Sequence, residues 1–152
     1  MKSILTGLLL ALSLSAFSQW EYVNEGTTFD GKMEYAAVVG TGDFPYSNPV
    51  IGIRRREGKG LELMFVSVNS SYSAESISFK FNNDDKIYTY SASHSEDYES
   101  WFLNEDEAVI KELALKMKSG LILYVRLSSE NSHEDYAFTL RGSTAAIEKM
   151  KL

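Results

Sequence analysis

The stretch LILYVRLSSENSHEDYAFTL, residues 121–140, decides the fold. Leu121, Leu123, Val125 and Leu127 alternate with Ile122, Tyr124 and Arg126. After a polar break, Tyr136, Phe138 and Leu140 alternate with Ala137, Thr139 and Arg141. Side chains of a strand point to opposite faces in turn, so this period of two predicts two half-buried strands, 121–128 and 135–141, joined as a hairpin.

The same grammar extends outward along the chain. SISFKF (76–81) puts Ile77, Phe79 and Phe81 on one face, opposite Ser76, Ser78 and Lys80. Further strands are expected near 20–24, 33–40, 49–56, 61–68 and 86–92. EGKG (57–60) joins two of them through glycines that tolerate positive φ, and NNDD (82–85) joins two more through side chains that bond their own backbone. About eight strands with short turns predict an all-β fold, a β-sandwich or a flattened barrel.

One helix interrupts the pattern. Val109, Ile110, Leu113, Ala114 and Met117 share a face at helical spacing. Asn104 is the expected cap, with Glu107 reaching back to it, and Glu105, Asp106 and Glu107 suit the positive end of the dipole. Lys116 and Lys118 suit the negative end, and Gly120 is the expected stop. A shorter C-terminal helix is expected from about Thr144 to Lys151, capped by Ser143.

The N-terminus reads as an export signal. Lys2 precedes the apolar run Ile4 to Leu14, and Ala16 and Ser18 place small residues at a cleavage site. The run is shorter than the roughly 20 residues that span a bilayer, so no transmembrane anchor is expected in the mature chain. Residues 1–18 are therefore a secretory signal peptide, and 19–152 form a single domain in the periplasm or outside the cell. Lys2 leaves with the signal, so 15 basic residues become 14 against 21 acidic ones, and the net charge moves from −6 to about −7. That balance argues against binding nucleic acid through bulk charge. With no cysteine, the chain has neither disulfides nor thiol chemistry, and packing must hold it together.

Both histidines sit in nearly repeated phrases, SHSEDY (93–98) and SHEDY (132–136). Imidazole and carboxylate can ligate a metal, which makes His94, His133, Asp97 and Asp135 a conceivable metal set, and adding Glu96 and Glu134 gives an acid–base set. Neither phrase has the spacing that sets two ligands on one helical face, so polar connectors are the preferred reading and no cofactor is expected. No nucleophile-elbow or Ser-x-x-Lys motif appears, and NNDD lacks the ligand series of an EF-hand.

Candidate binding residues are Arg54, Arg56, Tyr88, Tyr90 and Arg126. In a strand, Arg54 and Arg56 point one way and Arg55 the other. Such a pair either grips an anion or charges an edge against aggregation, the second being preferred. Tyr88 and Tyr90 share a face and either stack on a ligand or belong to the core, again with the second preferred.

The order of features resembles a family. Trp20, Asp30, the strand at Met33–Val39, Pro49-Val50-Ile51-Gly52-Ile53-Arg54 and the Ile77-to-Asp85 strand and turn come first. Trp101-Phe102 before a helix, Leu123-Tyr124-Val125-Arg126, Phe138-Thr139-Leu140-Arg141-Gly142 and Ala145-Ala146-Ile147 complete the series. The pattern is similar to the small exported β-sandwich proteins of the type VI secretion accessory (VasI/TagO) family, without that family's cysteines. The resemblance implies a periplasmic or secreted accessory role and no catalytic residues.

The reading is an exported, non-enzymatic binding or accessory protein whose partner is a protein or glycan of the cell envelope. Two alternatives stand beside it. One is a secreted hydrolase using His94, His133 and nearby carboxylates. The other is an inhibitor or immunity-type protein that inserts the loop TGDFPYSN (41–48) into an enzyme.

Overall fold

The computed structural model describes residues 19–27, 31–42, 48–66, 74–95, 100–103 and 105–152. Residues 1–18, read above as a leader, most of the 41–48 loop, Glu96, Asp97 and Asn104 lie outside the described residues. The described residues form ten strands: β1 (Glu21–Thr27), β2 (Gly31–Val39), β3 (Thr41–Gly42), β4 (Val50–Arg56), β5 (Gly60–Val66), β6 (Ser76–Phe81), β7 (Ile87–His94), β8 (Ser100–Leu103), β9 (Ile122–Ser128) and β10 (His133–Thr139). Two helices join them, α1 (Glu107–Ser119) and α2 (Ser143–Lys149).

All pairings are antiparallel, and the strand order is β1-β2-β4-β5-β8-β7-β6-β9-β10-β3. Two corners fold this order into a sandwich. β7 pairs with β6 through Ile87 to Ser91, then with β8 through Ala92 to His94. β2 and β3 are one run of chain interrupted only at Gly40, which carries it from beside β4 to beside β10. A Cβ on Gly40 would sit 2.5 Å from the Phe138 ring and 2.6 Å from the Ala137 carbonyl, so only glycine fits the corner. The order is open and the sheet is not a closed barrel.

The core lies between the layers, as the alternation predicts. Ala36, Val38, Ile51, Ile53, Leu61, Leu63, Phe65 and Trp101 from the β1-β2-β4-β5-β8 layer are buried. They face the buried Ile77, Phe79, Phe81, Leu123, Val125, Leu127, Tyr136 and Phe138 of the other layer. Phe65 bridges the two, with ring centroids 5.0 Å from Tyr136 and 6.1 Å from Phe138.

The helices close the sandwich. α1 buries Ile110, Leu113, Ala114 and Met117, the expected face without Val109, which is half-buried. Its cap is Asp106, whose carboxylate accepts from the Val109 N–H, so the expected Asn104–Glu107 box is replaced by a cap two residues later. Gly120 ends α1 with φ −88°, outside the left-handed region. Its constraint is space, because a Cβ there would meet Leu140 Cδ1 at 2.7 Å.

α2 begins one residue earlier than expected, and Ser143 is not its cap. Gly142 precedes the helix in the left-handed conformation, while the buried Ser143 hydroxyl donates to the Met117 carbonyl at 2.7 Å. Thr144 donates to the Lys118 carbonyl at 2.9 Å. Two hydroxyls at the start of α2 thus satisfy orphan carbonyls at the end of α1.

Two short strands escaped the periodicity. β8 is SWFL, expected only as an aromatic lead into the helix, and β3 is two residues long. β10 also starts two residues earlier than expected, at His133, so His133 and Glu134 belong to a strand rather than to a connector.

Candidate functional site

The expected site residues fall in four separate places. Arg54 and Arg56 lie on the outer face of β4, as expected, but their charge is already engaged. Arg54 pairs across the ladder with Glu62 on β5, and Glu62 receives hydrogen bonds from both guanidiniums. Partial burial pushes the Glu62 carboxyl up, and the bonds from Arg56 and Arg54 more than offset it, leaving its pKa below the usual value. An anion arriving here would have to displace Glu62.

Arg55 points inward. It donates to Glu34 Oε1 and to the Met150 carbonyl, both at 2.8 Å, and so caps the C-terminal end of α2. Tyr22 donates to the other oxygen of Glu34 at 2.9 Å. An open concavity of about 460 Å³ lies beside this network, lined by Lys32, Glu34, Arg55, Arg56 and Glu57 among others. Its arginines are already paired with Glu34 and Glu62.

Tyr88 and Tyr90 face inward on β7. Tyr88 is buried, and its hydroxyl donates to Asp84 Oδ2 at 2.6 Å. The Asp84 carboxyl also accepts from the Lys86 N–H at 2.9 Å and from Lys116 Nζ at 3.4 Å. Led by the Tyr88 bond, these donors hold its pKa down at about 2. Tyr90 is half-buried and packs on Phe79, with centroids 6.1 Å apart. These two tyrosines belong to the core and its rim, which answers the sequence-based choice in favour of packing.

Arg126 lies on the outer face of β9 and makes a two-point ion pair with Asp135 on β10, both contacts at 2.6 Å. Asp135 is held below the usual carboxylate range, first by that bond. His133 shares this face, two residues from Asp135 along β10. His94, in the other phrase, ends β7, and its Nδ1 lies 2.9 Å from the Ser95 carbonyl.

The two histidines lie near one end of the sheet. Register runs His133–Ser128–Ser76–Ser91 in a single row, and His94 follows three residues later on β7. Three strand spacings, each about 4.8 Å, separate β10 from β7, well beyond the reach of two ligands on one metal. Among the described residues no group of three or more histidines and acids is placed to hold a metal.

What sequence reasoning missed is a surface. Register sets Val39, Val50, Val66 and Ser100 in one row on the outer face of the β1-β2-β4-β5-β8 layer. The next row is Glu21, Ala37, Gly52, Met64, Phe102 and Ser93, and the next is Val23, Tyr35, Arg54 and Glu62. Val23, Tyr35, Val50, Met64, Val66 and Phe102 are each half-buried. The Arg54 guanidinium lies over the Phe102 ring at 5.0 Å. Both helices pack on the other side of this layer, α2 against Tyr22 and Arg55, and α1 through its buried apolar stripe. No described helix or strand lies over this face.

The opposite outer face, on β7-β6-β9-β10, is different in kind. Its rows are Ser91–Ser76–Ser128–His133 and Thr89–Ser78–Arg126–Asp135, with an apolar corner at Ile87, Tyr124 and Ile122.

The signal for the apolar face was present in the chain. AAVV, VIGI and LMFV carry apolar residues at consecutive positions, which marks strands apolar on both faces. Reading only the alternation hides it.

Comparison of the chain with protein-family models, with curated proteins and with solved structures finds no match, so the surfaces themselves carry the functional argument.

Proposed function

We propose that the chain is an exported, non-enzymatic binding protein of the cell envelope or extracellular space, which docks a protein partner on the outer face of the β1-β2-β4-β5-β8 layer. The observation that carries it is the band of Val39, Val50, Val66, Met64 and Phe102 on that face, bordered by the Arg54–Glu62–Arg56 cluster, in which one carboxylate is shared by two guanidiniums. A contiguous band of half-buried apolar side chains, with no described helix or strand over it, is the kind of surface that serves as an interaction site. Aliphatic and thioether side chains with one stacked arginine suit a protein interface better than a sugar, which asks for exposed aromatics flanked by hydrogen-bonding groups. The leader-like residues 1–18 and the resemblance to the type VI secretion accessory family support the export part of the reading. The hydrolase alternative gains nothing from the geometry, because the strands bearing His94 and His133 are three spacings apart.

The test begins with the full chain expressed with its own leader. Protein recovered from the periplasm or medium should start at Gln19 by intact mass; a protein retained in the cytoplasm with Met1 contradicts export. The recovered protein then serves as bait for an envelope fraction. A Met64→Glu/Val66→Lys variant should lose at least tenfold of the captured partner while keeping its melting temperature, whereas Ile122→Ser/Tyr124→Ser should capture normally. Equal capture by the first variant, or loss confined to the second, overturns the docking face.

A further inference from the structure

β1 ends the strand order and pairs on one side only, with β2. Among the described residues nothing pairs with its other edge. That edge is long and regular: register with β2 runs unbroken from Glu21↔Ala37 to Thr27↔Gly31, with no bulge and no proline. The sheet's other end is cut down to the two residues of β3, the usual defence against unwanted pairing. The start of β1 is also fixed. The Trp20 indole N–H donates to the Thr139 carbonyl at 2.9 Å, and Trp20 itself is buried. Among the described residues this row of backbone donors and acceptors has no ladder partner, and such a row binds extended peptides by adding them as a strand.

The side chains say which peptide. Glu21 and Glu25 are exposed and flank Val23 on the outer face of β1, and neither joins an ion pair among the described residues. A second copy of β1 added antiparallel and centred on Val23 would oppose Glu21 to Glu25 twice. A parallel copy in register would oppose each glutamate to itself. Like charges facing across a ladder destabilise it, and a slip by one residue turns every side chain to the wrong face. The two glutamates thus guard the edge against self-pairing, and by the same rule they favour a strand of opposite charge.

We infer that β1 receives, by strand addition, an extended segment of a partner protein carrying Lys or Arg at positions i and i+4 with a β-branched or aromatic residue midway. This rests on reading the β1-β2-β4-β5-β8 layer as the docking element, and it adds the mode of binding and the chemistry of the partner segment. The added strand would extend the apolar outer face by one more row.

The probe is an acetylated, amidated peptide of sequence TKTVTKT, titrated to millimolar concentration into the exported full chain and followed by amide chemical shifts and hydrogen exchange. Its controls are TETVTET, and TTKVKTT with the lysines two apart. The lysine peptide with i, i+4 spacing should bind at least tenfold more tightly than either control and slow exchange within residues 21–27. A Glu21→Lys/Glu25→Lys variant should reverse the preference between the lysine and glutamate peptides. Absence of binding, equal binding of the three peptides, an unreversed preference, or protection at the β3–β10 edge overturns the inference. Met64→Glu/Val66→Lys should still bind the peptide, which separates the two proposals. Lost peptide preference with intact loss of partner capture in that variant sinks strand addition alone. Retained peptide preference with normal capture by that variant sinks the outer-face reading instead.

Discussion

At Asp84 a single carboxylate collects the Tyr88 hydroxyl, the Lys86 N–H and the Lys116 ammonium. The NNDD turn was legible as a turn, and Asp84 accepts from the nearby Lys86 N–H as expected, whereas Asn82 and Asn83 bond the distant backbone of Ser119, Leu121 and Ile122. Its second role, as the partner of a buried tyrosine and a helix lysine, depends on contacts made across the fold and could not be read from spacing. The depressed pKa has a consequence for stability. Because the folded value, about 2, lies below the unfolded one, the unfolded chain binds more protons between them, and stability falls as pH drops through that window. Asp84→Asn should flatten the loss of urea midpoint between about pH 4 and pH 2, while lowering the midpoint at neutral pH. An unchanged slope would show that the three donors do not act through this carboxylate. The arginine run teaches the same lesson. Its alternation was readable, with Arg54 and Arg56 on one side and Arg55 on the other. That Glu62 would bond the first two, and that Arg55 would cap α2, required the register of β4 with β5 and the arrival of the C-terminal helix.

Among the elements, strands with strict alternation were legible to within two residues, apart from β1, which runs three residues past its expected end. Those with another organisation were not. β8 is short, with apolar residues at three consecutive positions (Trp101, Phe102 and Leu103), so it offers no period to detect. The phrase SHEDY reads as a loop by composition, yet ladder pairing with β9 and the cross-strand Arg126–Asp135 bond draw it into β10. The junction of the helices was also hidden, because Ser143 looks like a cap for its own helix and instead serves α1. Ser143→Ala should cost about 1–2 kcal/mol in urea unfolding, the price of a buried carbonyl left without a donor. A loss under about 0.3 kcal/mol would mean that the Met117 carbonyl is otherwise satisfied. Gly40 is the hinge of the second corner. Gly40→Ala should destabilise by about 2–3 kcal/mol, since the backbone oxygen of Ala137 cannot give way as a flexible side chain would. A near-neutral result in the same unfolding assay would contradict the corner's geometry.

For the whole molecule, the alternation predicts one core, and one continuous sheet folded at Gly40 and within β7 encloses it. The sandwich then has two outer faces of unlike character, one largely apolar and one of hydroxyls with an Arg–Asp pair. That contrast was invisible in sequence because it depends on which strands become neighbours; β5 beside β8, for example, is what sets Met64 against Phe102. The two histidines of the twin phrases lie on strands three spacings apart, near one end of the sheet. The central claim is that the apolar face is where the partner sits. Carbene footprinting of the purified protein, alone and in an envelope extract, tests this most directly. The account predicts at least threefold protection at Tyr35, Met64, Val66 and Phe102, with Tyr124 and Ile122 labelled equally in both samples. Protection centred on Tyr124, Ile122 and Ile87, with Met64 and Phe102 unchanged, would contradict it.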